Sequence, residues 1–350
     1  ARANVRSRGT LVLSAGLGRG YLDFGLRMCT RASTRAIAAS VAGLAVVALL
    51  RWATQLREAA DGVVCSPLSE LILLWRLRSV DRLVIVADFD RTITTAFVDA
   101  AAGVAGSTSH GILESCRELS PAYRAQAQAL LDKYHPIEFS ATLSKEEKLP
   151  IMQEWYRRSH ALLLEEDISE GTIRQAVADA SASIRIRPGF AELRREAASR
   201  GIPLVVFSAG LGNVVKEVLR QCVEDGEQLP VVSNWLRFAP GGGRACGLDE
   251  PLVHMFNKDG ARLLEQLGEE EWRALSRGRD TALLLGDGLG DCTMADGLGM
   301  RAIARVGWLN ELTREGQQSR LPKYVAAYDA VVLADGPMHW LLHLLFGGRR

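Results

Sequence analysis

The run LVIVADFDRT, residues 83–92, constrains this chain more than any other stretch. Five consecutive apolar residues, Leu83–Ala87, read as a strand buried on both faces, the pattern of a central strand in a parallel sheet. The run ends abruptly on two acids, Asp88 and Asp90, with Phe89 between them. Carboxylates that close repel each other, and burying them costs free energy unless positive charge sits between them. A chain that carries this stretch must bring a cation to the end of a buried strand.

Further strand-like runs fall at 204–207, 283–285, 302–306 and Ala330–Leu333. Helical patterns lie at 190–200, closed by Gly201, at 213–221 and at 259–267. Continuous apolar strands alternating with helices predict an α/β fold, a parallel sheet covered on both faces. About 115 residues separate the first strand from the second, far too many for a crossover, so they form an inserted lobe. Inside it, Ser120-Pro121 reads as an N-cap followed by proline at the first helical position. That helix is expected to run toward Tyr134 and to be stopped by Pro136. Ser144 and Glu147 fit a capping box for a second helix, which Pro150 restarts or kinks. Met152, Tyr156, Ser159 and Leu163 fall near one face of it.

In open parallel sheets, ligands bind at the carboxyl ends of the strands. Asp88 and Asp90 stand there, and later segments deliver more polar groups to the same edge. LVVFSAGLGN brings Ser208, Ala209 and Gly210; HMFNKDGA brings Lys258 at the start of a helix; LLLGDGLGD brings Asp287 and Asp291 in a glycine-rich loop. Several carboxylates beside one lysine call for a hard divalent cation, and Mg²⁺ is the expected cofactor. His110, His135, His160, His254, His339 and His343 show no metal-binding spacing and read as structural or surface residues.

The net charge of +1 gives no basic surface for nucleic acid. Its distribution is uneven: residues 1–60 hold nine Arg, no Lys, Asp23 and Glu58, hence +7, which leaves −6 for the rest. That Arg-bearing, acid-poor leader has the composition of an organelle transit peptide. The apolar segment 37–50, between Arg35 and Arg51, is short of the roughly 17–25 residues of a bilayer span. Extended to residue 53 it would act as an anchor, and only then would the protein associate with a membrane. Residues 1–60 are therefore set outside the fold. Six cysteines with no C-x-x-C pair read as reduced thiols of a cytosol-like compartment.

The segments DFDRT, SAG, NK and GDGLGD, in that order, resemble the four signature motifs of the haloacid dehalogenase superfamily of phosphatases. KEEKLPIMQEWYRRSH, FSAGLGNVVKEVLRQ, VVSNWLRF, HMFNKDGA, LLLGDGLGDCTMADG and YDAVVL resemble, more closely, the cytosolic pyrimidine 5′-nucleotidase family (cytosolic 5′-nucleotidase III type). The resemblance runs from about residue 63 to 345 and omits the leader. It implies a Rossmann-like core from residues 61–95 and 188–350, with a helical cap from 96–187.

It also implies roles. Asp88 would be the nucleophile that forms an aspartyl-phosphate, and Asp90 the general acid and then base. Mg²⁺ would be held by Asp88, the Asp90 main-chain carbonyl and Asp287. Ser208 and the Ala209 amide would hold phosphate oxygens, Lys258 would neutralise growing charge, and Asp291 would orient Lys258 or a metal-bound water. In the cap, Glu138, placed just after the helix stop, would read the base, with Ser159 lining the same pocket. A carboxylate there accepts from the exocyclic amine of cytosine and equally favours the cationic ring of 7-methylguanosine. The chain departs from the family pattern after the first motif: Arg91 fills the fourth slot, Phe97 is shifted by one, and a small-residue run follows.

The expectation is a Mg²⁺-dependent 5′-nucleotidase that prefers pyrimidine monophosphates, a cytoplasmic monomer acting on small-molecule nucleotides. The alternatives are a 7-methylguanosine monophosphate nucleotidase, or a phosphatase of the same fold for another small phosphomonoester such as thiamine monophosphate. A further alternative is phosphoryl transfer from the aspartyl-phosphate to a nucleoside. A membrane-anchored binding protein is disfavoured, because a pure binder has no use for a nucleophile.

Overall fold

A computed structural model describes residues 3–6, 10–13, 57–58, 62–138, 140, 142–241 and 243–347. The chain divides into two compact units, Ala1–Gln55 and Leu56–Arg350. In the first, Ala3–Arg6 and Thr10–Leu13 pair as antiparallel strands. The apolar segment 37–53 lies outside the described residues. Among the described residues no helix is long and apolar enough to cross a membrane.

The second unit is built on an eight-stranded sheet. Its strands, in chain order, are β1 (Arg57–Glu58), β2 (Val63–Cys65), β3 (Leu83–Ala87), β4 (Leu204–Leu211), β5 (Val231–Asn234), β6 (Thr281–Gly286), β7 (Ala302–Leu309) and β8 (Ala330–Leu333). Across the sheet they run β1-β2-β8-β7-β6-β3-β4-β5. The six strands from β8 to β5 are parallel; β2 and β1 add an antiparallel edge. Counted among the parallel strands alone, the order is the doubly wound 3-2-1-4-5-6, with its switch point between β3 and β6.

Every residue of β3 and β6 is buried, which is why both read as unbroken apolar runs. Leu83, Ile85 and Ala87 enter one core with Leu193, Val214 and Leu341, whereas Val84 and Val86 face the other with Leu263 and Trp272. The helices that cover the two faces supply those partners. In chain order the helices are α1 (Pro67–Arg76), α2 (Ser109–Glu114), α3 (Pro121–Glu138), α4 (Lys145–Glu165), α5 (Glu170–Asp179), α6 (Phe190–Ser199), α7 (Gly212–Cys222), α8 (Gly260–Leu267), α9 (Glu269–Leu275), α10 (Arg314–Ala327) and α11 (His339–Phe346).

The α/β expectation holds, with differences at the edges. β5, β2 and β1 were not foreseen, because two to four apolar or polar residues are too few for a readable pattern. Arg57–Glu58 pairs with β2 although it falls inside the 1–60 segment set aside from the fold. The five described cysteines are free thiols.

Helices α2–α5 lie in the long connection from β3 to β4. The chain leaves the sheet and returns to it side by side: Thr94 bridges Ile186, the Thr95 amide donates to Arg185 O at 2.9 Å, and the Arg187 amide to Ile93 O at 2.7 Å. The caps of α3 and α4 form as the sequence predicts. Ser120 Oγ accepts the Tyr123 amide, and Ser144 with Glu147 closes a full capping box. Pro136, however, does not stop α3, which continues to Glu138. Lacking an N–H, the proline costs the helix one i→i−4 bond, yet the helix runs two residues past it. Tyr134, fully buried and stacked on Trp155 of α4 at 5.8 Å, holds the last turn in place. Glu138 is thus the final helical residue, not one beyond a helix stop.

Candidate active site

At the switch point two strand ends face each other across a buried lysine. Asp88 follows β3, and its amide donates to Leu285 O of β6 at 2.8 Å. Lys258, two residues ahead of α8, donates to Asp88 Oδ1 at 2.6 Å and to Asp291 Oδ1 at 2.5 Å. All three side chains are buried. The other oxygen of Asp291 accepts the Gly288 amide at 2.8 Å, which fixes the loop after β6 around it. Gly286 is obligatory at the end of β6, because a Cβ there would overlap the Asp291 side chain. A cation just ahead of a helix N-terminus is out of keeping with the helix dipole, and two carboxylates supply the reason for it.

Carboxylate oxygens of Asp88, Asp287 and Asp291 lie within 4.8 Å of one another. One ammonium does not balance three acids. Burial drives the Asp88 carboxyl well above its usual range; Lys258 opposes the rise, and Asp291 and Asp287 add to it. Burial, then Asp291, lifts Asp287 to about 7. Burial lowers the pKa of the Lys258 ammonium, but Asp291 and Asp88 outweigh it and hold the group charged. Hard oxygen donors, clustered and short of positive charge, are the donor set of a Mg²⁺-type cation, and the residues present fit one.

Asp90 is held by different means. Phe89–Ile93 turns sharply, with Arg91 in the left-handed region at φ 62°. The Asp90 carboxylate accepts the Ser109 amide and the Ser109 hydroxyl, both at 2.7 Å, at the start of α2. Gly210 of β4 leaves the space for this pair, since a Cβ would overlap Ser109 Oγ.

The end of β4 supplies a third wall. Phe207 pairs with Val232 and Leu211 with Asn234, so Ser208, Ala209 and Gly210 stand against one residue of β5 and step out of the ladder. Ser233 donates to Gly210 O and Asn234 to Ala209 O, both at 2.9 Å. Ser208 is buried, and its hydroxyl accepts the Gly210 amide at 3.0 Å.

Glu138 ends α3 with its main-chain carbonyl bonded by Lys148 at 3.0 Å. Burial raises its carboxyl pKa, against the pull of His135, Arg91 and Lys148. Arg91 belongs to the turn that carries Asp90, so Glu138 lies within charge range of that turn. Tyr156 of α4 lies between the two regions: burial raises its hydroxyl pKa, and the charges it feels are Glu138, Lys258, Asp90 and Asp88. Ser159, one turn on, is half-buried. His160 stacks on His110 at 5.9 Å and meets Tyr156 edge-on at 5.9 Å. Burial holds it neutral, with a pKa down to about 3, as expected of a structural histidine.

The structure therefore gathers Asp88, Asp90, Ser208, Lys258, Asp287 and Asp291 along one sheet edge. Sequence reasoning missed four supports. Ser109 orients Asp90. Asn310 donates to Arg91 O at 2.9 Å and, at 3.5 Å, to Asp287 Oδ2. Tyr324 donates to Asp287 O at 2.6 Å. Arg187 donates to the carbonyls of Arg91, Thr92 and Thr94, in and beside the turn that carries Asp90.

A buried lysine bridges acids at the crossover of a doubly wound sheet, the place where such folds bind ligands, and comparison with known proteins identifies the class. The model of the pyrimidine 5′-nucleotidase (UMPH-1) family matches residues 92–346. The chain is 35% identical over 255 residues to the 7-methylguanosine phosphate-specific 5′-nucleotidase of Gallus gallus, covering 73% of this chain and 83% of that protein. It is 33% identical over 267 residues to the Homo sapiens protein of the same name, covering 76% and 84%. A solved structure of cytosolic 5′-nucleotidase IIIB bound to cytidine superposes with a TM-score of 0.67 at 31% identity, covering 80% of this chain and 89% of that one. The chain belongs to the pyrimidine 5′-nucleotidase (UMPH-1) family, and it is a 5′-nucleotidase with the haloacid dehalogenase-type fold that its motifs resemble.

Proposed function

We propose that this chain is a Mg²⁺-dependent hydrolase of nucleoside 5′-monophosphates that works through an aspartyl-phosphate. The observation that carries the reading is the Lys258 bridge between Asp88 and Asp291 at the switch point, with Asp287 beside it. Asp88 attacks phosphorus while the bond to the 5′-oxygen breaks. Asp90, aligned by Ser109, gives the leaving oxygen its proton and then takes one from the water that frees the phosphate. Lys258, the Ser208 hydroxyl and the Ala209 amide receive the charge that grows on the phosphoryl oxygens. Asp88, Asp287 and the Asp90 main-chain carbonyl would hold Mg²⁺, which supplies charge screening for attack by one anion on another. Asp291 fixes the Lys258 ammonium.

Residues 96–187 serve as the cap, and its Glu138, Tyr156 and Ser159 select the base. A carboxylate beside a tyrosine ring suits a base edge that donates hydrogen bonds, and pyrimidine monophosphates, CMP foremost, are the proposed substrates. The cytidine in the related solved structure favours this reading. The second reading, 7-methylguanosine monophosphate, is favoured by the names of the aligned Gallus gallus and Homo sapiens relatives. A cytosolic location is inferred from relatives so named, such as the putative cytosolic 5′-nucleotidase 3 of Caenorhabditis elegans.

The test is phosphate release from CMP, UMP, 7-methyl-GMP, AMP, thiamine monophosphate and ribose 5-phosphate, with Mg²⁺ and after chelation. Turnover of nucleotides that disappears on chelation and returns with Mg²⁺ is expected. Undiminished turnover without the ion contradicts the cofactor assignment. AMP as the best substrate contradicts the base assignment alone.

A further inference from the structure

Asp88 and Asp90 are two residues apart, yet different parts of the molecule hold them. Asp88 is tied to the sheet through its amide and to Lys258 through its carboxylate. Asp90 rides on the turn after it, and that turn hangs on Arg187. The guanidinium is 1% exposed. It donates to Arg91 O at 2.6 Å, Thr92 O at 2.7 Å and Thr94 O at 3.2 Å, three carbonyls of the catalytic turn. It also donates to Gly336 O at 2.8 Å, pairs with Asp335 at 3.0 Å and lies 5.2 Å over the Trp308 ring.

Asp335 faces the other way as well. Its two oxygens accept the Ala96 amide at 2.9 Å and the Phe97 amide at 3.0 Å, where the chain leaves for the cap. Arg187 itself stands where the chain returns. Ala334 and Asp335 both adopt left-handed backbone angles, φ 53° and 60°, a strain that persists only where surrounding contacts over-determine it. One buried ion pair thus pins the outgoing crossing, the returning crossing and the turn that carries Asp90.

We propose that Arg187 and Asp335 form a clasp that positions Asp90 for proton transfer. The proposal rests on the phosphatase reading above and adds two positioning residues to it. No other side chain offers five donors in one plane, so lysine replaces the clasp only in part. Loosening the clasp should impair transfer from a leaving group that needs a proton far more than transfer from one that departs without it.

The experiment measures kcat/KM, which ends at release of the leaving group and so omits hydrolysis of the phosphoenzyme, at saturating Mg²⁺ for the best nucleotide of the panel and for p-nitrophenyl phosphate, whose leaving group departs without a proton. The proteins are the wild type, Arg187→Lys, Arg187→Ala and Asp335→Asn, each checked for a cooperative melt. Proton transfer by a positioned group contributes about 10²–10⁴-fold, so nucleotide kcat/KM should fall by at least about thirtyfold in Arg187→Ala. The loss on p-nitrophenyl phosphate should stay within about threefold, with Arg187→Lys intermediate. Asp335→Asn, which keeps an acceptor for the crossing, carries the same comparison if the Arg187 variants do not fold. Equal losses on both substrates in the folded variants, or no loss on either, overturns the proposal. A wild type that hydrolyses neither substrate overturns the reading beneath it instead.

Discussion

The strand-end cluster and the cap face differ in how they are held. Asp88, Lys258 and Asp291 are bonded to one another and to the backbone of two neighbouring strands or loops, and all are buried. Glu138, Tyr156 and Ser159 ride on two helices of an insertion that joins the sheet through two adjacent crossings. The cluster is over-determined; the cap face is placed by helix packing, such as Tyr134 against Trp155. In the proposed mechanism, chemistry that needs fixed geometry belongs to the first region, and selection of a base to the second. Binding energy gathered in the cap is remote from phosphorus, so the two regions should fail in different ways.

The largest effect should come from Asp88→Asn. An amide packs in the same space but does not attack phosphorus, so turnover should vanish for every phosphate ester while the fold survives. Residual activity within about tenfold of wild type, with purity controlled, would break the comparison at its root. Next comes Lys258→Met. It leaves Asp88, Asp287 and Asp291 buried without their ammonium, and breaking a buried pair costs about 3–5 kcal/mol. Urea unfolding without metal should show that loss, and Mg²⁺ should recover part of it. Unchanged stability would mean that the cluster is not held by charge.

The cluster was legible because each member announces itself locally. Asp88 terminates an apolar strand, Asp287 and Asp291 stand in a glycine-rich loop, and Lys258 precedes a helix N-cap where a cation needs a reason. Its supports were not legible, because no local pattern marks them. Ser109 reaches Asp90 across 19 residues, and Asp335 reaches Ala96 across 239. Neither pairing leaves a periodic trace. Pro136 misled for a different reason: a proline costs the helix one amide bond, and the packing of buried Tyr134 against Trp155 holds the last turn in spite of that loss. β5 lay inside a segment whose motif was recognised, yet four residues ending in Ser-Asn do not read as a strand without their parallel neighbour.

The smallest effect is also the sharpest, because it separates the regions in one protein. Glu138→Ala removes a carboxylate from the cap face and touches nothing that bonds to Asp88. A lost hydrogen bond to a charged group is worth about 1.5–3 kcal/mol. The decisive measurement is kcat/KM for CMP, 7-methyl-GMP and ribose 5-phosphate, on the wild type and on Glu138→Ala. The division of labour predicts that the two nucleotides lose roughly ten- to a hundredfold while the baseless ester is unchanged. A common fall in all three would contradict it, and would make Glu138 a support of the cap rather than a reader of the base.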